Sequence, residues 1–230
     1  MLFTAVPSVT AHWANLLIVI SAITILYGNL CAIPQRNIKR LLGYSSIAHA
    51  GYLLLGVAAL SASGQSALMY YLAGYVFTVM AAFFVITLVM RHLATEDISG
   101  LAGLNQRSPL LAATLTIAMV SLAGIPPLAG FFGKFLLFKA VIEAAQTTHN
   151  HGYYCLAFTA LIGVIISLYY YFGVIRAIYW SKDPEDLSPI ELSAPAKLSI
   201  WVCLAGMFWI GVFPNTVLTM TNLAAAALGK

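Results

Sequence analysis

The sequence GIPPLAGFFGK, residues 124–134, sets the architecture of this chain. It lies inside an apolar run, residues 110–145, which as one continuous helix would measure about 54 Å. The hydrocarbon core of a bilayer is only about 30 Å thick. Pro126 and Pro127 remove backbone donors and disfavour helical backbone immediately before them. The stretch therefore predicts one membrane helix that is interrupted between Gly124 and Gly130.

The composition places the whole chain in a lipid bilayer. Of its 230 residues, 61% are hydrophobic and 8% are charged, whereas roughly a quarter of the residues in soluble domains are charged. The net charge of +4 is small, and its cationic residues are concentrated in loops, which argues against nucleic-acid binding. We expect an all-α polytopic membrane protein that forms a single membrane domain over residues 1–230. The six predicted spans are residues 13–33, 41–60, 68–92, 110–145 with the break, 153–180 and 198–213.

The distribution of Lys and Arg predicts the orientation of the spans. Basic residues lie in or beside the loops after spans one, three and five, whereas SASGQSA (61–67) and QTTHNHG (146–152) contain none. Because basic loops stay in the cytoplasm, both termini of this chain are expected on the outer side of the membrane. The loop SKDPEDLSPIELSAP (181–195) is expected to be a solvated connector. Span six, almost devoid of polar groups, is expected at the periphery, facing lipid or another subunit.

Lys134 is the main candidate for a functional residue. An ammonium in hydrocarbon costs at least ~2.5 kcal/mol, and such a lysine usually faces the interior of the bundle. The alternative is a lysine that extends to the membrane surface. An interrupted helix leaves backbone carbonyls and donors free to order water, as in transporters. The break and Lys134 are therefore predicted to form one proton-handling site, with Ser121 as a supporting polar residue, whereas Lys139 is expected to pair with Glu143.

His49, near the middle of span two, is the second candidate. Ser45, Ser46 and Tyr52 lie three or four residues away and therefore share its helix face. A histidine titrates near physiological pH and has two nitrogens that accept or donate a proton. The residues leave two readings open: a proton relay, or a histidine that hydrogen-bonds helices together.

Weaker polar stripes occur in spans three and five. Their hydroxyl groups could hold water in a chain, although tyrosines near span ends more often form interfacial belts. Tyr75 of span three is included as a supporting polar residue. The stripes comprise Tyr71, Tyr75 and Thr78 in span three and Ser167, Tyr170 and Tyr171 in span five.

The sequence offers no signature of a bound cofactor or metal. It contains no phosphate-binding lysine loop, no dinucleotide fingerprint and no HExxH. Cys31, Cys155 and Cys203 lie in apolar runs without metal-ligand spacing, and we expect them to be small buried hydrophobes. His149 and His151 are more typical of a solvated loop than of a metal site.

Three stretches resemble a known family over essentially the whole chain. They are NIKRLLGYSSIAHAGYLLLG (37–56), SLAGIPPLAGFFGKF (121–135) and SLYYYFGVIRAIYW (167–180). Together they resemble the subunit N family of the proton-pumping NADH–quinone oxidoreductase, respiratory complex I, whose mitochondrial counterpart is NADH dehydrogenase subunit 2.

The resemblance implies an antiporter-like fold with two inverted repeats, each containing a broken helix. This chain resembles the C-terminal part, and the upstream half of that fold would be absent. By resemblance, Lys134 corresponds to the terminal proton-channel lysine and His49 to the central-axis histidine. NADH, FMN, iron–sulfur clusters and quinone would lie in partner subunits and none on this chain. The implied partners are the other membrane subunits, lipid, protons and water.

The sequence is compatible with two further functions. One is a subunit of a multi-subunit sodium–proton antiporter, which shares the fold but has no redox enzyme attached. The other is an inactive, truncated structural fragment that keeps contacts with neighbouring subunits.

Overall fold

The computed structural model describes residues 10–93, 95–180 and 188–228. Within these residues the chain forms nine α-helices and a short 3-10 turn, Ile98–Leu101. The helices are α1 (Thr10–Ala32), α2 (Ile38–Ala58), α3 (Ala62–Met90), α4 (Leu104–Arg107), α5 (Pro109–Ala123), α6 (Ala129–Thr148), α7 (Gly152–Trp180), α8 (Ala194–Val212) and α9 (Pro214–Leu228).

The helices are those of a multi-pass membrane protein. Among the described residues, α1, α2, α3, α7 and α8 are long and apolar enough to cross a bilayer. The predicted fourth span is present as two helices, α5 of 15 residues and α6 of 20 residues. The fold class is therefore all-α, and the fourth apolar run is broken as predicted.

The break is shorter than the sequence predicted. It runs from residue 124 to 128, and the helix resumes at Ala129. Both prolines precede Leu128, which has extended backbone (φ −85°, ψ 162°) and is the N-cap residue of α6. Because α6 itself contains no proline, the helix forms from Ala129 onward. The assignment of Gly130 to the break was wrong: this glycine lies in the first turn of α6.

Two large apolar clusters form most of the core, and a small third one, of Tyr70, Ala129 and Ile210, joins α3, α6 and α8. The first joins α2, α3, α5, α7 and α8 through residues such as Leu41, Val85, Leu115, Val174 and Met207. The second joins α1, α2, α6 and α7 through residues such as Ile25, Leu55, Leu137 and Leu156. His49 lies between the two large clusters, because it contacts Tyr171 of the first and both Tyr52 and Tyr71 of the second.

The outer faces of α1, α7 and α8 expose large apolar side chains. In α8 they include Leu198, Trp201 and Trp209, in agreement with a peripheral position for the sixth predicted span. The expectation that all three cysteines are buried was wrong. Cys203 is buried, Cys31 is half-buried and Cys155 is exposed on α7, because apolar helices in a membrane protein carry apolar residues on outward faces as well.

A polar cluster fixes the start of α2. Asn37 caps the helix by accepting a 3.0 Å hydrogen bond from the backbone N–H of Arg40. The Asn37 amide also donates to the Glu96 carboxylate at 2.8 Å, and the Lys39 ammonium lies 2.5 Å from the same carboxylate. The hydrogen bonds from Lys39 and Asn37 hold the pKa of Glu96 below its ordinary value of 4.5.

The connector before α8 is not wholly solvated. Residues 181–187 of the predicted loop lie outside the described residues. Ile190, further along, is 6% exposed and packs into the first apolar cluster. Its backbone N–H donates to the Arg107 carbonyl at 3.2 Å, and the Arg107 guanidinium donates to the Ser188 carbonyl at 3.1 Å. The prediction was wrong for Ile190, because its apolar side chain docks on the bundle, whereas Ser188, Pro189 and Glu191 are exposed as expected.

Candidate functional site

The end of α5 determines which carbonyls the break leaves free. Gly124 has a φ of +85°, a left-handed conformation that favours glycine. Its N–H donates to the carbonyls of Val120 and Ser121 at 3.2 and 3.0 Å, and the Ile125 N–H donates to Val120 at 3.2 Å. This is the Schellman arrangement, in which a left-handed residue turns the chain back on the last helical turn. The carbonyls of Leu122 and Ala123 are not used in it.

Lys134 supplies donors to those two carbonyls. Its ammonium donates to the Leu122 carbonyl at 2.7 Å and to the Ala123 carbonyl at 3.3 Å. The residue is 4% exposed, so the alternative of a lysine extending to the membrane surface is wrong. A cation at a helix C-terminus also interacts favourably with the partial negative charge there. The break and the ammonium thus occupy one site.

The ammonium also has an aromatic neighbour. Lys134 Nζ lies 4.9 Å from the centroid of the Tyr52 ring. In the part of the chain that the structure describes, ion pairs join Lys39 to Glu96 and Lys139 to Glu143, the latter at 3.7 Å. The predicted Lys139–Glu143 pair is therefore confirmed, and neither pair includes Lys134.

His49 is held between two tyrosine hydroxyls. The residue is 4% exposed, and its Nδ1 is hydrogen-bonded to the Tyr71 hydroxyl. Its Nε2 lies 2.9 Å from the Tyr171 hydroxyl, which in turn is hydrogen-bonded to Ser45. The Tyr75 ring is stacked obliquely at 4.9 Å between centroids. Both ring nitrogens therefore have partners, and a continuous chain of hydrogen bonds crosses α2, α3 and α7.

The other predicted polar residues lie around these two groups. The Tyr75 hydroxyl donates to Ser46 at 3.1 Å. Ser121, fully buried near the end of α5, lies 3.1 Å from the hydroxyl of Thr78. Ser46 is half-buried, so it lies at the edge of the face that Ser45 and His49 share.

Tyr71 and Tyr171 were not among the predicted site residues, yet they contact His49 directly. The sequence signal for Tyr71 was its position four residues before Tyr75, on one helix face. Tyr171 lies beside Tyr170, whose hydroxyl donates to the fully buried Asn29 at 2.9 Å. Both site tyrosines are 2% exposed or less. Their burial distinguishes them from interfacial belt residues, and burial is not readable from helical spacing alone.

Tyr52 connects the two titratable groups. Its ring is 6.0 Å from the His49 ring between centroids, and it is also the ring beneath the Lys134 ammonium. The sequence placed Tyr52 on the face of α2 that carries His49, and the structure confirms that placement. Lys134, from α6, therefore reaches the His49 cluster by way of one aromatic side chain.

The break is covered by protein. A Cβ added at Gly130 would lie 1.8 Å from the Ser121 carbonyl oxygen, so α6 starts in direct contact with the end of α5. On the other side, Gly211 of α8 lies against the carbonyl of Pro127. Non-helical backbone at membrane depth is tolerated where protein or a water-filled cavity surrounds it, and both neighbours are supplied by this chain.

Metal ligands do not cluster in the described ranges. Among residues 10–93, 95–180 and 188–228, no group of three or more His, Cys, Asp or Glu side chains is placed to hold a metal ion. The Lys134 ammonium, the His49 imidazole and the neighbouring tyrosine and serine hydroxyls can form hydrogen bonds and can accept or donate protons.

Comparisons with known proteins identify the family of the chain. The family described as NADH:quinone oxidoreductase/Mrp antiporter, TM, matches residues 1–167. The NADH-quinone oxidoreductase subunit N of Moorella thermoacetica is 42% identical over 222 residues, which are 96% of this chain and 44% of that protein. This chain thus spans less than half the length of this curated relative.

Solved structures share the fold. A chain of respiratory complex I from Thermus thermophilus with bound Aureothin is 33% identical, with a TM-score of 0.73 over 88% of this chain and 44% of that one. A chain of the Mrp complex from Dietzia sp. DQ12-45-1b has a TM-score of 0.79 over 93% of this chain and 47% of that one, at 23% identity, which shows the fold alone. The chain belongs to the NADH:quinone oxidoreductase/Mrp antiporter transmembrane family and is a homologue of NADH-quinone oxidoreductase subunit N.

Proposed function

We propose that this chain is part of an antiporter-like membrane-arm subunit of a bacterial proton-translocating NADH–quinone oxidoreductase. In this proposal residues 1–230 form one membrane domain, the C-terminal part of that fold. It crosses the inner membrane six times, with α5 and α6 together as the interrupted fourth crossing. Both termini face the periplasm, because the loops rich in Lys and Arg lie on the opposite side.

The observation that carries the proposal is the burial of the Lys134 ammonium at the helix break. Two carbonyls, of Leu122 and Ala123, hold it, and no ion pair among the described residues includes it. The charge state of a buried ammonium without a counter-ion responds strongly to charges and water that arrive nearby. The broken helix adds backbone groups that can bind such water. This site is suited to take up a proton and to release it.

The His49 cluster supplies a second station for protons. Each hydroxyl of Tyr71, Tyr171 and Ser45 can donate or accept, and imidazole can carry a proton on either nitrogen. When Tyr71 takes up a proton and passes its own to Nδ1 of His49, the Nε2 proton moves on to Tyr171, and Tyr171 passes its own to Ser45, which releases one. One proton thus crosses three helices, and every donor and acceptor in the chain is reversed. Transfer between His49 and Lys134 then requires water beside Tyr52.

The redox chemistry is assigned to partners. NADH, FMN, iron–sulfur clusters and quinone are proposed to bind to other subunits of the same complex, and none of them to this chain. The partners of this chain are the other membrane subunits, lipid, protons and water. Its contribution is a proton path that responds to electron transfer elsewhere.

The test is Lys134→Ala in the full-length subunit, with Lys139→Ala as the matched control. Both lysines belong to α6, but the Lys139 side chain is 59% exposed and paired with Glu143. NADH-driven proton uptake and NADH oxidation are measured in inverted membrane vesicles, after native gels establish assembly. We expect Lys134→Ala to lower uptake roughly tenfold or more, as for loss of a general acid–base group, and the control to leave it unchanged. Normal uptake by an assembled Lys134→Ala complex would contradict the proposal and favour an inactive structural fragment.

Sodium–proton exchange is the second candidate, because the matched family also includes Mrp antiporter proteins and the fold is shared with an Mrp complex. The identity of 42% to a subunit N favours the oxidoreductase. Vesicles without NADH separate the two functions: a sodium gradient that drives proton movement, lost in Lys134→Ala, would favour the antiporter.

A further inference from the structure

The ring of Tyr52 lies within cation–π distance of Lys134. Lys134 Nζ is 4.9 Å from the ring centroid, and such contacts are effective within about 6 Å. Tyr52 is 2% exposed and Lys134 is 4% exposed, so the contact is shielded from solvent. Desolvated contacts of this kind are the stronger ones.

The Lys134 ammonium makes two hydrogen bonds in addition to its contact with the Tyr52 ring. A lysine ammonium has three N–H groups, and two of them are directed to the carbonyls of Leu122 and Ala123. The ring of Tyr52 is a further neighbour of the same Nζ atom. We propose that Tyr52 is a positioning residue for Lys134, whose negative ring face takes the place that a carboxylate counter-ion would fill.

The charged and titratable neighbours agree with this role. His49 lies on α2 with Tyr52, Tyr71 packs from α3 against Gly133 beside Lys134, and Tyr171 completes the cluster from α7. The ion pairs formed among the described residues leave Lys134 out. The quadrupole of the Tyr52 ring, together with two carbonyl dipoles, is therefore the negative potential that the described residues direct at the ammonium.

The ring is held by α7. Its hydroxyl donates to the Ala160 carbonyl at 3.2 Å, and a Cβ added at Gly163 would lie 2.7 Å from that hydroxyl oxygen. The hydroxyl is thus hydrogen-bonded to α7, whereas the contact with Lys134 is made by the ring. This separates the two contributions of Tyr52: the ring acts on Lys134, and the hydroxyl attaches α2 to α7.

The spectroscopic test uses the full-length subunit with isotope-labelled lysine in liposomes, and Lys134→Met to assign the signal. A ring above an ammonium shifts the Lys134 ε-CH₂ protons upfield. We expect that shift in the wild type and in Tyr52→Phe, and its loss in Tyr52→Leu. Retention of the shift in Tyr52→Leu would overturn the proposal, because another ring would then be responsible.

The functional test rests on the proposed function and uses the assembled complex. Tyr52→Phe is expected to keep proton uptake within about twofold, whereas loss of the ring contact lowers it roughly threefold to thirtyfold. Phenylalanine with one, two or three fluorine atoms is also placed at position 52. Fluorination lowers the negative potential of the ring face at nearly constant shape, so this series tests the contact even if Tyr52→Leu does not fold. Uptake should fall stepwise with fluorination, and the same series at the 66% exposed Phe158 should have no effect.

The outcomes separate the two proposals. Uptake that is independent of fluorination, or equally poor in Tyr52→Phe and Tyr52→Leu, would overturn the positioning role even where uptake depends on Lys134. Conversely, loss of the ring-current shift in Tyr52→Leu would support the contact between the ring and the ammonium. If proton uptake did not depend on Lys134 in the same complex, the proposed function would be rejected while the contact stood.

Discussion

The ammonium of Lys134 donates a 2.7 Å hydrogen bond to the carbonyl of Leu122, a residue twelve positions earlier in the chain and on the other side of the helix break. The lysine thereby caps the helix that precedes its own. A cation at a helix C-terminus stabilises the helix by typically 0.3–1 kcal/mol, and up to about 2 kcal/mol when partly buried. The geometry of the break and the position of the ammonium therefore depend on each other.

Gly124→Ala is predicted to destabilise this cap. At a φ of +85° the new Cβ introduces left-handed strain of about 1–2 kcal/mol, and it would lie 3.0 Å from the Cδ of Lys134. We expect a lower midpoint of thermal unfolding in detergent, together with slower proton uptake. Gly43→Ala is the control, because a Cβ there meets nothing within 4 Å and alanine is the better helix former. Equal destabilisation by both substitutions would contradict the prediction.

Gly130→Ala is predicted to separate α5 from α6. Its Cβ would lie 1.8 Å from the Ser121 carbonyl oxygen and 2.8 Å from the carbonyl carbon. Backbone cannot move aside as a side chain does, so we expect a loss of about 3 kcal/mol and a reduced yield of folded protein on size-exclusion chromatography. Gly173→Ala, in the open on α7, should keep the wild-type yield. A wild-type elution profile for Gly130→Ala would show that the helices approach less closely.

The long spans were predictable because each is an apolar run between polar loops, whereas the short α4, of sequence LNQR, has no such pattern. Span five, expected at 153–180, is Gly152–Trp180. Span three, expected to begin at 68, begins at Ala62, since Ser61 accepts the Gly64 N–H and caps the helix. Hydrophobicity alone predicts a loop for polar residues that in fact form the first turn of a helix. Similarly, Ile190 docks on the bundle through a tertiary contact, which could not be predicted because the surrounding sequence is polar and charged.

The candidate site was predictable in part. Helical spacing placed Ser45, His49 and Tyr52 on one face, and the prolines located the break next to Lys134. The partners of His49, Tyr71 and Tyr171, are 22 and 122 residues away in sequence. Periodicity within one helix defines a face but not the neighbour that meets it, so these contacts required the tertiary arrangement.

Glu96→Gln is predicted to make the stability of the protein less sensitive to acidic pH. The folded pKa of Glu96 is depressed below 4.5, first by its hydrogen bond from Lys39. A group with a depressed pKa contributes stability above its unfolded pKa, and that contribution disappears as pH falls through the folded value. The unfolding midpoint of the wild type should therefore fall more steeply below about pH 4.5 than that of the variant. Added salt should narrow the difference, because the pair is half-exposed. Parallel pH profiles would contradict the assignment.

Tyr171→Phe is predicted to disable the His49 cluster while leaving its packing in place. The substitution removes one hydroxyl that serves both Ser45 and the Nε2 of His49. Leaving buried polar groups without a partner costs about 1–3 kcal/mol, so thermal unfolding should shift downward. Proton uptake by the assembled complex should fall as well, because the chain of hydrogen bonds then ends at His49. Tyr169→Phe is the matched control: it lies on the same helix with 71% of its surface exposed, and a change within about 0.5 kcal/mol is expected. If uptake survives Tyr171→Phe while stability falls, the tyrosine fixes α7 to α2 and the proton path runs elsewhere.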